Sequence, residues 1–517
     1  MALSACALQP GTVSAIIHAP DARPIVVQIV SGPVSGVSSA SGQAFLGIPF
    51  AAPPVGAHRF DPPLAPTPWT TVRDATRPGA ACIQVKFPGS AQQSEDCLNL
   101  NVYAPPAADP AHPIPVMVWI YGGGFEFGYN TQYDPSGLAE RQHVIVVAPN
   151  YRLGAFSFLA HPALRGHGEG ALAILDQQAA LRWVHANIAA FGGNPNNVTL
   201  FGESAGGWSV CYQLTAPGAR GLFNKAIIES GACTSPDSAI SLQAAEAGGL
   251  ALAAELGCSD PATAATCLRT IPARKLLKVK AARRGLLGVQ SWSPAYGGDV
   301  LPLHPRDAFE RGQFLAVPII DGTNRNEGRL FLDVGRLTGK LWSQESYEKI
   351  IGDFYDEKTP QVLAEYAAEA KTHRGLAYAD IVTDGIFACP AMTLNGLLRR
   401  KTSVYAYEFD DPHAVFNLPR TPFTPALKAY HSSEIAYVMQ TRWALANPDK
   451  FDSDQRRLSD RMQSAWGAFA GDGVPTIAGE AWSADGEVPL QFSPSGDRSD
   501  SEFARVHHCA FWNGLGH

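Results

Sequence analysis

Apolar, β-branched runs alternate with stretches of helical periodicity along most of the chain, the pattern of a mainly parallel sheet with helices on its faces. Strands are expected at Val116–Tyr121, Val144–Pro149, Val198–Phe201, Ala226–Glu229, Val317–Asp321 and Ser403–Phe409. These runs are continuous rather than alternating, as strands buried on both faces require. Helical periodicity is strong over Ala171–Ile188 and Ala205–Leu214, and Asp454–Gly471 reads as a late helix. Residues 236–316 and 341–400 lack strong strands and read as helical insertions forming a cap or regulatory region. No internal repeat or low-complexity linker breaks this order, so residues 25–517 are expected to form one large α/β catalytic body.

Composition narrows the function classes. With 517 residues, 46% hydrophobic and only 17% charged, the chain has ample material for a core. A net charge of −7 argues against nucleic acid as a partner. No run of eighteen apolar residues occurs, so no membrane-spanning helix is expected. Residues 1–24 have neither the basic start nor the apolar centre of a signal peptide, and are expected to be a poorly ordered leader remnant. Within them Leu3-Ser4-Ala5-Cys6 resembles a bacterial lipoprotein processing site without its membrane-inserting segment, so Cys6 is an open lipidation question.

The strongest chemical signal is Val198-Thr199-Leu200-Phe201-Gly202-Glu203-Ser204-Ala205-Gly206-Gly207, which carries GxSxG between a strand and a helix. Such a turn strains the serine backbone and needs Gly202 and Gly206 to avoid clashes. The hydroxyl then projects above the sheet at a helix N-terminus, where partial positive charge favours a developing oxyanion. The competing reading is a glycine-rich turn bearing a surface serine. A second signal, Tyr121-Gly122-Gly123-Gly124-Phe125, ends an earlier strand and could point its N–H groups at the same place. The N–H groups of Gly123, Gly124 and Ala205 are the expected oxyanion hole, and losing one such donor typically costs ~3 kcal/mol.

A nucleophilic serine needs an imidazole, and the imidazole needs a carboxylate to fix its tautomer. In folds with this turn, acid and then histidine follow the serine along the chain. The downstream histidines are 304, 373, 413, 431, 507, 508 and 517. Sequence physics alone does not choose among them, although His413 and His431 both follow the strand Ser403–Phe409. Asp321 and Glu327 likewise both follow or end the strand Val317–Asp321.

Several segments taken together resemble the type-B carboxylesterase and cholinesterase family. They are "FLGIPFAAPPVG" at 45–56, "SEDCLNLNVYAP" at 94–105, "VWIYGGGFEFG" at 118–128, "NYRLGAFSFL" at 150–159, "LDQQAALRWVHANIAAFGGNPNNVTLFGESAGG" at 175–207, "TNRNEG" at 323–328, "YHSSEIAYVM" at 430–439 and "CAFWN" at 509–513. The resemblance implies an α/β-hydrolase fold with a large, mostly parallel central sheet. It implies a carboxylic ester hydrolase whose triad is Ser204, Glu327 and His431, with Asp321 and His413 as the alternatives. Glu434 is expected to orient the His431 loop. Glu203 is expected to stand behind the reacting groups, bonded to a neighbour such as Ser230.

The same resemblance changes the reading of the cysteines. Nothing among the nine has the spacing of a metal site, and alone they would read as buried thiols. The resemblance implies disulfides Cys82–Cys97, Cys258–Cys267 and Cys389–Cys509, leaving Cys6, Cys211 and Cys233 unpaired. Three bridges point to a secreted or periplasmic location. The first closes a short loop, Ile83–Asp96, for which chain entropy gives ~3 kcal/mol. Ion pairs Arg59–Glu95 and Arg152–Asp176 are implied as scaffold fixtures.

That short loop also narrows the substrate. Its only aromatic residue is Phe87, whereas choline-binding members place a tryptophan there to hold the cation. It is too short for the mobile lid of the family's lipases. A small-molecule ester with a small acyl or aromatic group is therefore expected, with Phe125, Phe127, Tyr129 and Trp208 walling the pocket and Trp292 and Phe331 as weaker candidates. The chemistry requires no metal and no organic cofactor. A monomer or weak dimer is expected. An amidase or peptidase on the same scaffold and a non-catalytic adhesion homologue are the rival readings, the latter disfavoured because every expected triad residue is present.

Overall fold

The continuous apolar runs pair into one sheet in the computed structural model, which describes residues 16–85, 91–279, 292–337, 342–418, 425–477, 479–484 and 486–516. Its strands are β1 (Arg23–Ile29), β2 (Gly32–Ser39), β3 (Gly42–Pro49), β4 (Asn99–Ala104), β5 (Ile114–Ile120), β6 (Ile145–Pro149), β7 (Gly193–Glu203), β8 (Lys225–Glu229), β9 (Ile319–Asn324), β10 (Val404–Phe409), β11 (Leu490–Phe492) and β12 (Arg498–Ser499). Their order across the sheet is β1-β2-β3-β4-β6-β5-β7-β8-β9-β10-β11-β12, with the short piece Arg73–Asp74 beside β2. The six expected strands are β5 to β10; all are parallel to their neighbours among these six. Strands β1 to β4 pair antiparallel and carried no continuous apolar run. β1 alternates between exposed and part-buried positions at the sheet edge, and β2 reads GPVSGVSS, too small and polar to register as a core strand.

Helices flank the sheet, among them α1 (Leu172–Asn187) and α2 (Ala205–Thr215). Ser453–Asp472 opens on a capping box made by Asp452 and Gln455 and ends at Gly473, whose φ of 78° only glycine adopts easily. Within 236–316 the described helices are Leu242–Glu255, Ala264–Thr270, Ala273–Leu276 and Pro305–Glu310. Within 341–400 they are Gln344–Tyr355, Thr359–Glu365 and a long run, Ala367–Leu398, with a π-helical centre at Thr383–Ala388. That run is long and apolar enough to cross a membrane, with mean hydropathy 1.4, but 83% of its apolar window is buried inside the fold. It is a core helix.

Two apolar clusters beside the main core each contain a disulfide. Tyr347, Tyr366, Phe387 and Trp512 surround Cys389–Cys509, and Phe60, Phe156, Leu252 and Leu268 surround Cys258–Cys267. Cys82–Cys97 ties the pairing of Ala81–Cys82 with Gln93–Ser94. Arg59 grips Glu95 through Nε and Nη2 at 2.7 and 2.6 Å, and Arg152 grips Asp176 at 2.8 and 2.7 Å. One expectation fails: Cys211 and Cys233 form a fourth disulfide. They lie on adjacent elements, α2 and the segment leaving β8, with Cα atoms 5.9 Å apart, inside the range a bridge requires. Cys6, Phe87, His517 and residues 1–15 of the expected leader lie outside the described residues.

Strand register assembles the site. Gly202 pairs with Ile120, Glu203 with Glu229, and Glu229 with Gly322. The carboxyl ends of β5, β7, β8 and β9 therefore finish side by side, the edge at which open α/β sheets bind ligands.

Candidate active site

Ser204 caps the N-terminus of α2 with φ 57° and ψ −123°, a strained conformation for a non-glycine residue. Its N–H donates to Glu229 O at 2.9 Å, and its carbonyl accepts from Trp208 N–H at 2.8 Å. The flanking glycines are sterically required. A Cβ on Gly206 would lie 1.9 Å from Ile120 O, and one on Gly202 would lie 2.6 Å from the same carbonyl. Gly122 is pressed on Ser204 itself, since its Cβ would meet the Ser204 Cβ at 2.9 Å.

Beside this turn, Gly123 and Gly124 adopt φ values of 118° and 60°. The turn after them closes by Glu126 N–H and Phe127 N–H donating to Gly123 O at 3.0 and 3.2 Å. Among the described residues, the N–H groups of Gly123, Gly124 and Ala205 donate to no other group. Three unengaged donors next to a serine hydroxyl can receive negative charge on a substrate oxygen.

His431 is 4% exposed and is held on both ring nitrogens. Nδ1 donates to Glu327 Oε2 at 2.6 Å, and Nε2 lies 3.1 Å from Glu203 Oε1. Glu327 is fully buried and accepts from Ser230 Oγ at 2.5 Å and Asn324 N–H at 2.7 Å through Oε1. Ser230 thus partners Glu327 and not Glu203, correcting the expected pairing. Its strand lies between those carrying the two glutamates, and its N–H is tied to Gly322 O at 2.8 Å on the Glu327 side. Glu203 accepts instead from Ser432 Oγ at 2.6 Å. Glu434 binds the Asn324 amide, which also donates to Tyr430 O at 3.0 Å, so it fastens the His431 loop to the end of β9.

The alternatives are placed elsewhere. His413 is exposed, and its backbone N–H donates to Asp411 at 2.8 Å. Asp321 is buried within β9, where it pairs in register with Ile228 and Ala406 and faces Asn395. Burial pushes its carboxyl well above the usual range, which favours the protonated form.

Burial also dominates the carboxylates around the imidazole. Desolvation raises Glu203 and Glu434 well above the ordinary value, reinforced by the charge of Glu327. Glu229 is pushed up to about 8 by burial while accepting from Trp466 Nε1 at 2.8 Å. All three shifts favour the protonated form of these carboxyls.

Of the expected pocket residues, Phe125 is withdrawn from the wall. It is wholly buried, with φ 60°, and packs on Phe158, Trp208 and Tyr212. Phe127 is part-buried and folds over Gly123, while Tyr129 is part-buried nearby in sequence. Trp208 is part-buried and donates from Nε1 to Ala232 O at 3.1 Å. Trp292 approaches Gly154. Phe331 and Phe387 stand 5.1 and 4.8 Å from the His431 ring. Phe387 and Ser432 were not singled out in the sequence: Ser432 sits inside the "HSSE" segment, while Phe387 carries no sequence signal. Among the described residues, no cluster of three or more His, Cys, Asp or Glu side chains is arranged to hold a metal ion.

Comparison with known proteins accords with this geometry. The profile of the carboxylesterase family matches residues 23–512. The para-nitrobenzyl esterase of Bacillus subtilis (strain 168) is 34% identical over 503 residues, covering 92% of this chain and 98% of its own. The acylcarnitine hydrolase of Mus musculus and the cocaine esterase of Homo sapiens are each 34% identical, covering 86% of this chain and 81% of theirs. A solved structure of PNB esterase superposes with a TM-score of 0.78 at 34% identity, covering 94% of this chain and 99% of that one.

Proposed function

This chain belongs to the carboxylesterase family and is a carboxylic ester hydrolase, and on that premise we propose that it cleaves soluble esters of small acyl or aromatic groups by Ser-His-Glu acyl transfer. Ser204 attacks the ester carbonyl while His431 takes its proton. The N–H groups of Gly123, Gly124 and Ala205 receive the oxyanion, and the alcohol leaves with the proton from His431. Water activated by His431 then hydrolyses the acyl-enzyme. Glu327 fixes the Nδ1 tautomer so that Nε2 faces the Ser204 turn.

The observation that carries this reading is His431 itself, bonded at 2.6 Å to a buried carboxylate and delivered by Nε2 to the residue preceding Ser204. No hydrogen bond joins Ser204 and His431 among the described residues; Nε2 faces Glu203. Catalytic hydrogen bonds are often loose before substrate binds, and in the proposed mechanism the imidazole exchanges Glu203 for Ser204 when substrate is bound. The four disulfides fit an extracellular or secreted setting, and periplasmic or secreted residence is part of this proposal.

The test is hydrolysis of a short-chain nitrophenyl ester by wild type and Ser204→Ala, with labelling by a fluorophosphonate probe. Turnover and labelling in wild type, both lost in Ser204→Ala, are expected. A wild type that neither turns over nor labels would sink the proposal. Esters varied separately in acyl and alcohol size then test the preference for small or aromatic groups.

A further inference from the structure

The helix that starts at Ser204 is fastened along one face to the segment that leaves β8. Ser204 N–H meets Glu229 O at 2.9 Å, and Trp208 Nε1 meets Ala232 O at 3.1 Å. Next come the Cys211–Cys233 disulfide, with Cys233 N–H 3.1 Å from Cys211 Sγ, and then a bond from Tyr212 OH to Ser238 O. Between the first two points the backbones touch, since a Cβ on Gly231 would lie 2.3 Å from Gly207. The attachment points on the helix recur at the spacing of one face, and each meets the next stretch of the facing segment.

Within this segment stands Ser230, whose hydroxyl holds Glu327 and whose φ is 52°. A non-glycine residue stays in that region only where its surroundings over-determine it. The hydrogen bonds at Ser230 fix its own ends, but the disulfide is the one covalent tie between this segment and the helix carrying Ser204 among the described residues. Both sulfurs are fully buried, so the tie belongs to the site's floor and not to the surface.

We infer that the Cys211–Cys233 disulfide is a positioning element of the acyl-transfer site, clamping residues 230–233 to α2 so that Ser230 keeps Glu327 in place relative to Ser204. The inference rests on the triad reading above. It assigns the bridge a role in setting kcat, distinct from the general stabilisation that any cross-link gives.

The experiment compares Cys211→Ala/Cys233→Ala, Ser230→Ala and their combination with wild type, using a nitrophenyl ester well below each protein's unfolding transition. Cys258→Ala/Cys267→Ala serves as a control bridge outside the site. The expected result is a kcat about tenfold lower in the Cys211/Cys233 pair and in Ser230→Ala, with KM within about twofold. The combination should be no slower than the worse parent, because both changes release the same contact. The control should keep its kcat. Unchanged kcat in a folded Cys211/Cys233 pair, or losses that multiply in the combination, would overturn the inference; so would an unchanged kcat in Ser230→Ala. If the pair does not accumulate folded, Cys211→Val/Cys233→Ala refills the sulfur volume and is read the same way. Failure of both to fold while the control folds makes the bridge a folding requirement and overturns the positioning role. An inactive wild type would sink the triad reading instead, and Ser204→Ala separates the two failures.

Discussion

Glu203 Oε1 sits 3.1 Å from His431 Nε2, so the imidazole is bracketed by two carboxyl groups, with Glu327 on Nδ1 at 2.6 Å. The two are not equivalent. Glu327 accepts from a hydroxyl, a backbone N–H and the imidazole. Among the described residues Glu203 accepts from Ser432 Oγ, and burial raises its carboxyl well above the ordinary range, which favours the protonated form beside Nε2. Environment sets the roles of two glutamates that share one histidine.

Because burial favours the protonated form of Glu203, an amide is expected to replace it at modest cost. Glu203→Gln is expected to keep kcat within about tenfold of wild type at pH 7, because it preserves a hydrogen-bonding group between Ser432 and His431. Glu203→Ala removes that group, leaves the Ser432 hydroxyl unpaired and opens space behind the nucleophile turn, so kcat should fall at least about tenfold further. Steady-state kinetics on one neutral ester check the ranking, and equal rates for the two variants would contradict it.

The acid assignment separates just as cleanly. Glu327→Gln should lower kcat by about 10²–10⁴, since the imidazole loses the carboxylate that fixes its tautomer and stabilises its charge. Asp321→Asn replaces a buried carboxyl on β9 whose protonated form burial favours, and should leave kcat within a few fold. The opposite ranking would transfer the acid role to Asp321.

Bridge removal should scale with the loop released. Cys389 and Cys509 are 120 residues apart, whereas Cys258 and Cys267 are 9 apart. Chain entropy gives about 5 kcal/mol for the first and about 2.5 kcal/mol for the second. Replacing each pair by alanine and measuring denaturant midpoints is expected to show the larger loss for Cys389/Cys509. A larger loss for Cys258/Cys267 would mean that native packing, not loop closure, governs these bridges.

How far the sequence carried depended on what each residue does locally. The strands buried on both faces announce themselves as unbroken apolar runs such as Val116–Ile120 and Ala226–Ile228. Edge strand β1 and the serine- and glycine-rich β2 do not, because their pairing partners and not their own apolar content make them strands. Ser204 and its glycines are legible because close approach to Ile120 O leaves no other residue possible. Contacts set by register across the sheet are not legible: Ser230 could have faced either glutamate, and only the strand order decides. Cys211 and Cys233 were missed for the same reason, since their proximity follows from α2 packing beside β8.

Glu229 offers a prediction about stability and pH. Its carboxyl titrates near 8 in the folded protein against an ordinary value of 4.5, because burial disfavours the charged form. A proton held more tightly in the folded state stabilises it fully below the ordinary value, and that contribution is lost as pH rises through about 8. Across this window one such group costs about 1.4 kcal/mol of stability per pH unit. Glu229→Gln keeps an oxygen for the Trp466 indole N–H and cannot ionise. The wild type should therefore lose stability relative to Glu229→Gln between pH 5 and 8, while the two converge at pH 4. Glu203 and Glu434 act in the same direction in both proteins and both feel the charge of Glu229, so the difference between the two denaturation curves reads Glu229 together with its coupling to them. A difference that stays flat over that range, or that favours the wild type as pH rises, would show that Glu229 is ionised in the folded protein.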